Sequence, residues 1–376
     1  MNYVNGVGRT SFGVLASSPK ELMSEAINSA LADAELEASD VGAVIVSSFL
    51  TGVEPRQLHL NSIVSGILGT NVPVIRVEGA CASGGIALKQ ALLSLQEHDN
   101  VLAVGVEKMS SAASEKISSD IALAGHFELD YKEGLVFPAA YALIAQQHFL
   151  KHGSSIDDLS LISLKNHENA NYNPLAHFYE KQVTLDKIES SPIVSSPLRL
   201  FDCSPISDGA AAVIVSKKKT SRSVSVLACE MASDTISLSE RKDATSFKAT
   251  KLSAKKAFEK AGLQRKQVKH VEVHDCFTIA ELIALEDLGF YEAGAAAKAV
   301  RKEETKLNGA LPVNTDGGLK ADGHPIGASG LAQTFECVLQ LRSEAGKRQV
   351  DCDYSLAQNI GGIGGTAVTT IFGATK

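Results

Sequence analysis

The chain has 376 residues, 44% hydrophobic and 21% charged, the profile of a soluble globular protein with room for two domains or one large fused unit. Its formal charge of −7 and its lack of a dense basic run argue against nucleic acid as a main partner. Six cysteines without a C-x-x-C pair exclude a disulfide framework and argue against zinc, so the thiols read as reduced, in a cytoplasm-like compartment. Residues 1–10 hold no apolar core of signal-peptide length, no stretch approaches a membrane span, and the C-terminal Gly373-Ala-Thr-Lys376 is not a Ser-Lys-Leu address.

In chain order, residues 30–46 read as a helix end, a polar turn and a valine-rich strand. A short apolar strand at 72–77 leads into the run Val77-Glu-Gly-Ala-Cys-Ala-Ser-Gly-Gly85 and a helix over 86–95. Cys81 therefore stands at a strand-to-helix turn. There the helix N–H groups and dipole favour thiolate over thiol, and small neighbours let a substrate backbone come close. Alone, such a cysteine is more often an inert core residue. An apolar strand follows at 101–106. Residues 110–205 are more polar, carry Pro138, Pro174, Pro192 and Pro197, and read as an insertion folded over the first unit that shapes a pocket. Phe127, Phe137, Tyr141 and Phe178 are its candidate aromatic walls. An apolar strand at 209–215 ends this half, and the polar stretch 233–250 reads as a second pocket loop.

The second half repeats the first. Residues 257–273 match 30–46, with Val44 and Val46 set against Val271 and Val273. Ala328-Ser-Gly330 matches Ala82-Ser-Gly84 before a helix, Leu356-Ala357 matches Leu102-Ala103 in a strand, and residues 365–371 match 209–215, all in the same order. Two copies of one α/β unit packed together follow from this.

Three further motifs lie in the second half. His274-Asp-Cys-Phe277 directly follows a strand, so His274 and Cys276, two apart, can face one cleft as oxyanion donor and proton carrier. Read alone, they are as easily a hydrogen-bonded core histidine and a small buried residue. Asn314-Thr-Asp-Gly-Gly-Leu-Lys320 precedes Gly323-His-Pro-Ile-Gly-Ala-Ser-Gly330, a rigid turn that fixes His324 before a helix starting near Leu331. A neutral imidazole is favoured there, as suits a base for a thiol. Gln358-Asn-Ile-Gly-Gly-Ile-Gly-Gly365 can expose N–H groups to an anion, although a plain tight turn also fits. It lacks the G-x-G-x-x-G and following helix of a nucleotide site.

Together these motifs resemble the thiolase superfamily over nearly the whole chain. The His-Asp-Cys-Phe run, with Lys165-Asn-His, Asn173-Pro-Leu-Ala-His-Phe178, residues 202–212 and residues 331–349, is similar to the sterol-carrier-protein-type and archaeal thiolases. The resemblance implies an α/β fold of two repeated halves in a five-layered α-β-α-β-α body, residues 1–220 and 221–376, with a loop domain inserted at about 110–205. It implies Cys81 as acyl-accepting nucleophile, His324 as its activator, and His274 where many thiolases carry an asparagine that positions a water in the oxyanion hole. Gly361 would supply an oxyanion-hole N–H. Asn359 stands where many thiolases place an acid/base cysteine in a Cys-x-Gly pattern, and is assigned to the same hole. Proton transfer then falls to Cys276.

The chemistry implied is acyl transfer between acyl-CoA, acetyl-CoA and CoA, including thiolysis of the fatty acid β-oxidation type, with no cofactor and no metal. CoA contacts are expected at 233–250 and in the insertion. The family further implies a cytoplasmic homodimer or homotetramer, with residues 101–106 as dimer edge. In some relatives it also implies a small OB-fold partner; neither nucleic acid nor membrane is expected as a partner. The rivals are an aldolase or acyltransferase working with a partner subunit on a non-CoA or steroid-type substrate, a non-catalytic subunit, and a condensing enzyme using carrier proteins. The intact Cys81, His274, Cys276 and His324 rank these lower.

Overall fold

In the computed structural model residues 1–375 are described, and Lys376, the end of the C-terminal tetrapeptide, lies outside them. The strands are β1 (Asn2–Arg9), β2 (Ala43–Ser47), β3 (Val74–Val77), β4 (Asn100–Glu107), β5 (Ile193–Ser195), β6 (Leu198–Arg199), β7 (Gly209–Ser216), β8 (Val224–Ser233), β9 (His270–Glu272), β10 (Tyr354–Gly361) and β11 (Thr366–Ala374). All but the small β5–β6 hairpin join one sheet in the order β3-β2-β4-β7-β1-β8-β11-β10-β9. The order β8-β11-β10-β9 repeats β1-β7-β4-β2, and the parallel bridge of Val313 to Val271 stands where β3 pairs with β2.

The repeat holds at the level of register. Val44 pairs with Leu102 in the first half, and the matched Val271 pairs with Leu356 in the second. Ala82 and Ala328 both cap the start of a helix, Ser83–Ser94 and Ser329–Leu341. The last match slips by one residue. Leu102 faces Ile214 while Leu356 faces Ile371, so Ile214 corresponds to Ile371 and not to Thr370. Runs of Ala, Val and Thr carry no unique anchor, so only the ladder fixes their register.

The side-chain alternation of the strands separates the layers. In the first half Val44, Val46, Leu102, Val104, Ala212 and Ile214 face helices Pro19–Ala34 and Leu60–Leu68. Their neighbours Ala43, Ile45, Val101, Ala103, Ala211 and Val213 face helices Ser83–Ser94 and Ser329–Leu341. Those same two helices also meet Ala357, Val368 and Phe372 of the second half. On the far face Leu356, Ile360 and Ile371 pack with helices Lys248–Ala261 and Thr278–Asp287. The result is five layers, α-β-α-β-α, with the sheet folded around a central helix pair.

Two expectations need correction. Strand β4 is not an edge, since β2 and β7 flank it, and the bare edge is β3, where Ile75 is 53% exposed. The insertion lies over the first unit only in part, where its Ile117 packs with Leu50, Cys81 and Met109. Its Ala140, Tyr141, Ile144, Leu159 and Ile162 share a core with helix Thr278–Asp287 of the second half, because helices Phe137–His152 and Ile156–Ala170 turn their apolar sides there. No helix among the described residues is long and apolar enough to cross a membrane.

The central helices touch backbone to backbone. A Cβ added at Gly84 would lie 2.8 Å from the Gly330 nitrogen, and one at Gly330 would lie 2.4 Å from the Gly85 nitrogen. Gly84→Ala is expected to cost about 1–3 kcal/mol by overpacking, read as a lower midpoint in thermal or urea unfolding. An unchanged midpoint would mean that the two helices do not meet this closely.

Candidate active site

Strand β3 ends at Val77, and the chain turns through a short 3₁₀ turn, Ala80–Ala82, into helix Ser83–Ser94. Ala80 takes a φ of 51°, costly for a residue with a Cβ. Ser83 latches the turn by donating to the Ala80 carbonyl at 2.6 Å and accepting from the Gly79 N–H at 3.0 Å. Cys81 is thereby held at the turn and buried. Its thiol is pushed up to about 12, first by burial, against a lowering contact from the Gly362 N–H and with Glu107 adding to the rise. The expected thiolate is therefore overturned. Loss of hydration outweighs the helix terminus, and the resting group is a thiol.

His324 lies in the turn before helix Ser329–Leu341, and burial holds it down to about 3, so its ring is neutral. Ser329 Oγ donates to the Pro325 carbonyl at 2.9 Å and so accepts at 2.7 Å from His324 Nδ1–H. That leaves the Nε2 lone pair free, buried and without a partner. His274 follows β9 at the opposite wall, with its ring 5.0 Å from that of His324 and nearly perpendicular. Burial, then His324, holds His274 well below the usual imidazole range. Cys81 Sγ and one nitrogen of each ring all lie within 4.8 Å of one another.

Cys276 opens onto the same cavity and is pushed well above the usual thiol range by burial and then by Cys81. The Tyr141 hydroxyl, which donates to the Gly362 carbonyl at 3.0 Å, also hydrogen-bonds Cys276. The cavity is about 240 Å³ and its walls are mostly apolar: Met109, Ile121, Phe137, Phe277 and Ile326 beside Cys81, Cys276 and His324. Of the other candidate aromatics, Tyr141 is buried behind Cys276, Phe127 is exposed, and Phe178 packs on His167.

Two sequence assignments move. Asn359 is not in the oxyanion hole. Its Oδ1 accepts from the Gly85 N–H at 3.0 Å and its Nδ2 meets His274 Nδ1 at 3.1 Å, so it stands behind His274. Gly361 lies against the nucleophile turn, where a Cβ would sit 2.4 Å from the Gly79 carbonyl, but the N–H reaching the Cys81 sulfur belongs to Gly362.

Buried acids that the sequence reading passed over bolt these loops together. Glu107 ends β4 and accepts from the N–H groups of Phe49, Leu50 and Gly327, each at 2.9 Å, fixing the turn that carries His324. Asp275 accepts from Leu319 N–H and from Asn166 Nδ2, each at 2.7 Å, tying the His274 turn to the loop before Gly323. An acid at the end of an apolar strand was the available signal for Glu107. Beyond the Cys81 trio, His270, Glu272 and Glu336 are also close enough to hold a metal ion. Their polar atoms are already taken by Ser355, Thr315, Gln340 and Arg348.

A thiol at about 12 is ionised in about one molecule in 10⁵ at pH 7. Iodoacetamide should therefore modify the Cys81 peptide slowly at neutral pH, with a rate still rising above about pH 9. A plateau below pH 8, followed by mass spectrometry, would reveal a preformed thiolate instead.

The chain is similar over its length to known proteins. The family "Thiolase, N-terminal domain" matches residues 3–219, and "Thiolase C-terminal domain-like" matches residues 231–374. An acetyl-CoA acetyltransferase of Methanothermobacter thermautotrophicus is 44% identical over 379 residues, covering 98% of each chain. Human sterol carrier protein 2 is 34% identical over 393 residues, covering 98% of this chain and 71% of that protein. Among solved structures, the Ltp2-ChsH2(DUF35) aldolase superposes with a TM-score of 0.85 at 24% identity, covering 99% of this chain and 97% of that one. A monomeric SCP2-thiolase like protein type 1 from Mycobacterium smegmatis gives 0.76 at 17% identity, over 100% and 77%. The chain belongs to the thiolase family and is an acyltransferase of the thiolase type.

Proposed function

We propose that the protein interconverts 3-oxoacyl-CoA plus CoA with acyl-CoA plus acetyl-CoA through an acyl-Cys81 intermediate. The observation that carries this is the convergence of Cys81, His274 and His324 within 4.8 Å, with Cys276 on the same cavity. In the condensing direction Cys81 attacks an acyl-CoA and its proton passes to His324 Nε2. The departing CoA sulfur takes the Cys276 proton, which leaves a thiolate in a dry site. That thiolate removes the α-proton of acetyl-CoA, and the carbanion attacks the acyl-enzyme. Cys81 leaves and recovers its proton from His324. Imidazole N–H groups of His324 and His274 face the enolate oxygen, each such donor worth roughly 10²–10³ in kcat. Neither half-reaction changes an oxidation state, so the scheme uses no redox cofactor, and no step calls for a metal.

Acetyl-CoA is assigned as the second substrate because the archaeal relatives bear that name. A cavity of about 240 Å³ leaves room beyond an acetyl group, so longer 3-oxoacyl chains of the kind met in fatty acid β-oxidation belong in the assay. CoA contacts are assigned to the insertion and to the loop at 233–250, whose Arg241 donates to the Ile363 carbonyl of the glycine loop. The bare β3 edge supports a homodimer or homotetramer, and six free cysteines support a cytoplasmic setting. We take the halves to part at 220/221, in the turn between β7 and β8. The alternative is an aldolase or acyltransferase that works with a partner subunit on a non-CoA or steroid-type substrate; one structural neighbour is named as an aldolase with ChsH2(DUF35).

The test is loss of acetoacetyl-CoA absorbance on adding CoA, repeated with a longer 3-oxoacyl-CoA, for the wild type and Cys81→Ala. Activity that falls to background in the variant is expected. A wild type inactive on both substrates would overturn the proposal in favour of the partner-dependent reading.

A further inference from the structure

We infer that Asn359 is a positioning residue that sets the tautomer of His274, holding the proton on Nε2 so that the ring beside Cys81 and His324 carries a hydrogen-bond donor on its unpartnered nitrogen. The Gly85 N–H can only donate, so the Asn359 atom it meets at 3.0 Å is the carbonyl oxygen. The other end of that amide is then Nδ2, which also can only donate, and it meets His274 Nδ1 at 3.1 Å. Nδ1 must accept, and in a neutral ring the proton is left on Nε2.

The amide cannot turn over. Rotation would set an NH₂ against the Gly85 N–H, in a site where Asn359 is only 2% exposed. It is also wedged between the two central helices, since a Cβ at Gly330 would fall 2.4 Å from its Oδ1 and one at Gly85 would fall 3.1 Å away. The backbone beneath the ring is held as well, because the His274 main-chain N–H donates at 2.9 Å to Oε1 of Gln358, the residue before Asn359. Gln358 is itself tied to Thr250 at 3.2 Å. Two successive side chains of β10 therefore fix the backbone and the ring of one histidine.

The consequence is a division of labour between two neutral imidazoles. His324 donates through Nδ1 to Ser329 and offers an Nε2 lone pair, while His274 accepts at Nδ1 and offers an Nε2–H. Both Nε2 atoms are buried and otherwise unpartnered. One can take the proton of Cys81, and the other can meet a developing oxyanion without being charged first.

This rests on the proposed thiolase reaction for its catalytic meaning, but its first readout does not. In the full-length protein labelled with ¹⁵N-histidine, long-range ¹H–¹⁵N spectra at pH 7 should show a pyrrole-type Nε2 and a pyridine-type Nδ1 for His274, and the reverse for His324. The His274 signals are assigned by their loss in His274→Gln. A protonated Nδ1 in wild-type His274 overturns the inference whether or not any variant folds.

Asn359→Asp keeps an acceptor for Gly85 but gives His274 Nδ1 a carboxylate. The His274 pattern should then reverse or become doubly protonated, and kcat for thiolysis should fall at least tenfold with KM within about twofold. An unchanged His274 pattern in a folded Asn359→Asp overturns the inference as well. Wild-type tautomers as stated in a protein without thiolysis would sink the proposed reaction and leave this inference standing.

Discussion

Two helices of the central layer begin face to face, so closely that only glycine fits at Gly84 and Gly330. Each follows a turn carrying one reactive group, Cys81 in the first half and His324 in the second. Packing the repeated units thus brings the proposed nucleophile and its proposed base together, and buries both. Burial then dictates the electrostatics. A charge on either group would lose its water, so the thiol is driven up and the imidazole down, and the pair rests neutral. A neutral pair needs hydrogen-bond donors aimed at where charge will form, and the Gly362 N–H at the Cys81 sulfur and the unpartnered Nε2 of the second histidine lie beside it.

Such a site tolerates little movement, and fixed hydrogen bonds supply the rigidity. The segment around His324 is held at both ends, by Glu107 on the Gly327 N–H and by Arg9 of β1 on Asp322 at 2.8 Å. Asp275 and Asn166 tie the turn after β9 to the insertion and to the loop that leads into Gly323. These contacts join residues far apart in sequence, so the geometry exists only once both halves and the insertion have packed.

That distance explains what the sequence could and could not reveal. The repeat was legible because Val44 with Leu102 and Val271 with Leu356 keep one register. The chemical groups were legible because turns at helix starts leave local signatures of Gly, Pro, Cys and His. What escaped depends on neighbours that only folding supplies. The Cys81 thiolate failed because desolvation is a tertiary property. That part of the insertion covers the second half was missed because apolar residues in helices 137–152 and 156–170 say that they are buried, not against what. Glu107, and the contacts of Tyr141 though not the residue itself, escaped because their partners lie more than 50 positions away.

The departure at position 359 shows how such distant positions depend on each other. By the resemblance, His274 stands where many thiolases outside the similar subgroup carry an asparagine, and Asn359 where they carry a cysteine in the glycine loop. The two changes belong together physically. A histidine in a dry oxyanion site has two possible neutral forms, and only one donates toward the substrate. Placing a fixed amide donor at its Nδ1 selects that form. The same amide cannot carry protons as a cysteine would, so that task needs another thiol, and Cys276 is on the cavity with Tyr141 at its sulfur. An amide at position 359 and a thiol at position 276 are thus compatible parts of the proposed centre, one fixing the histidine and the other placed on the cavity to carry the proton.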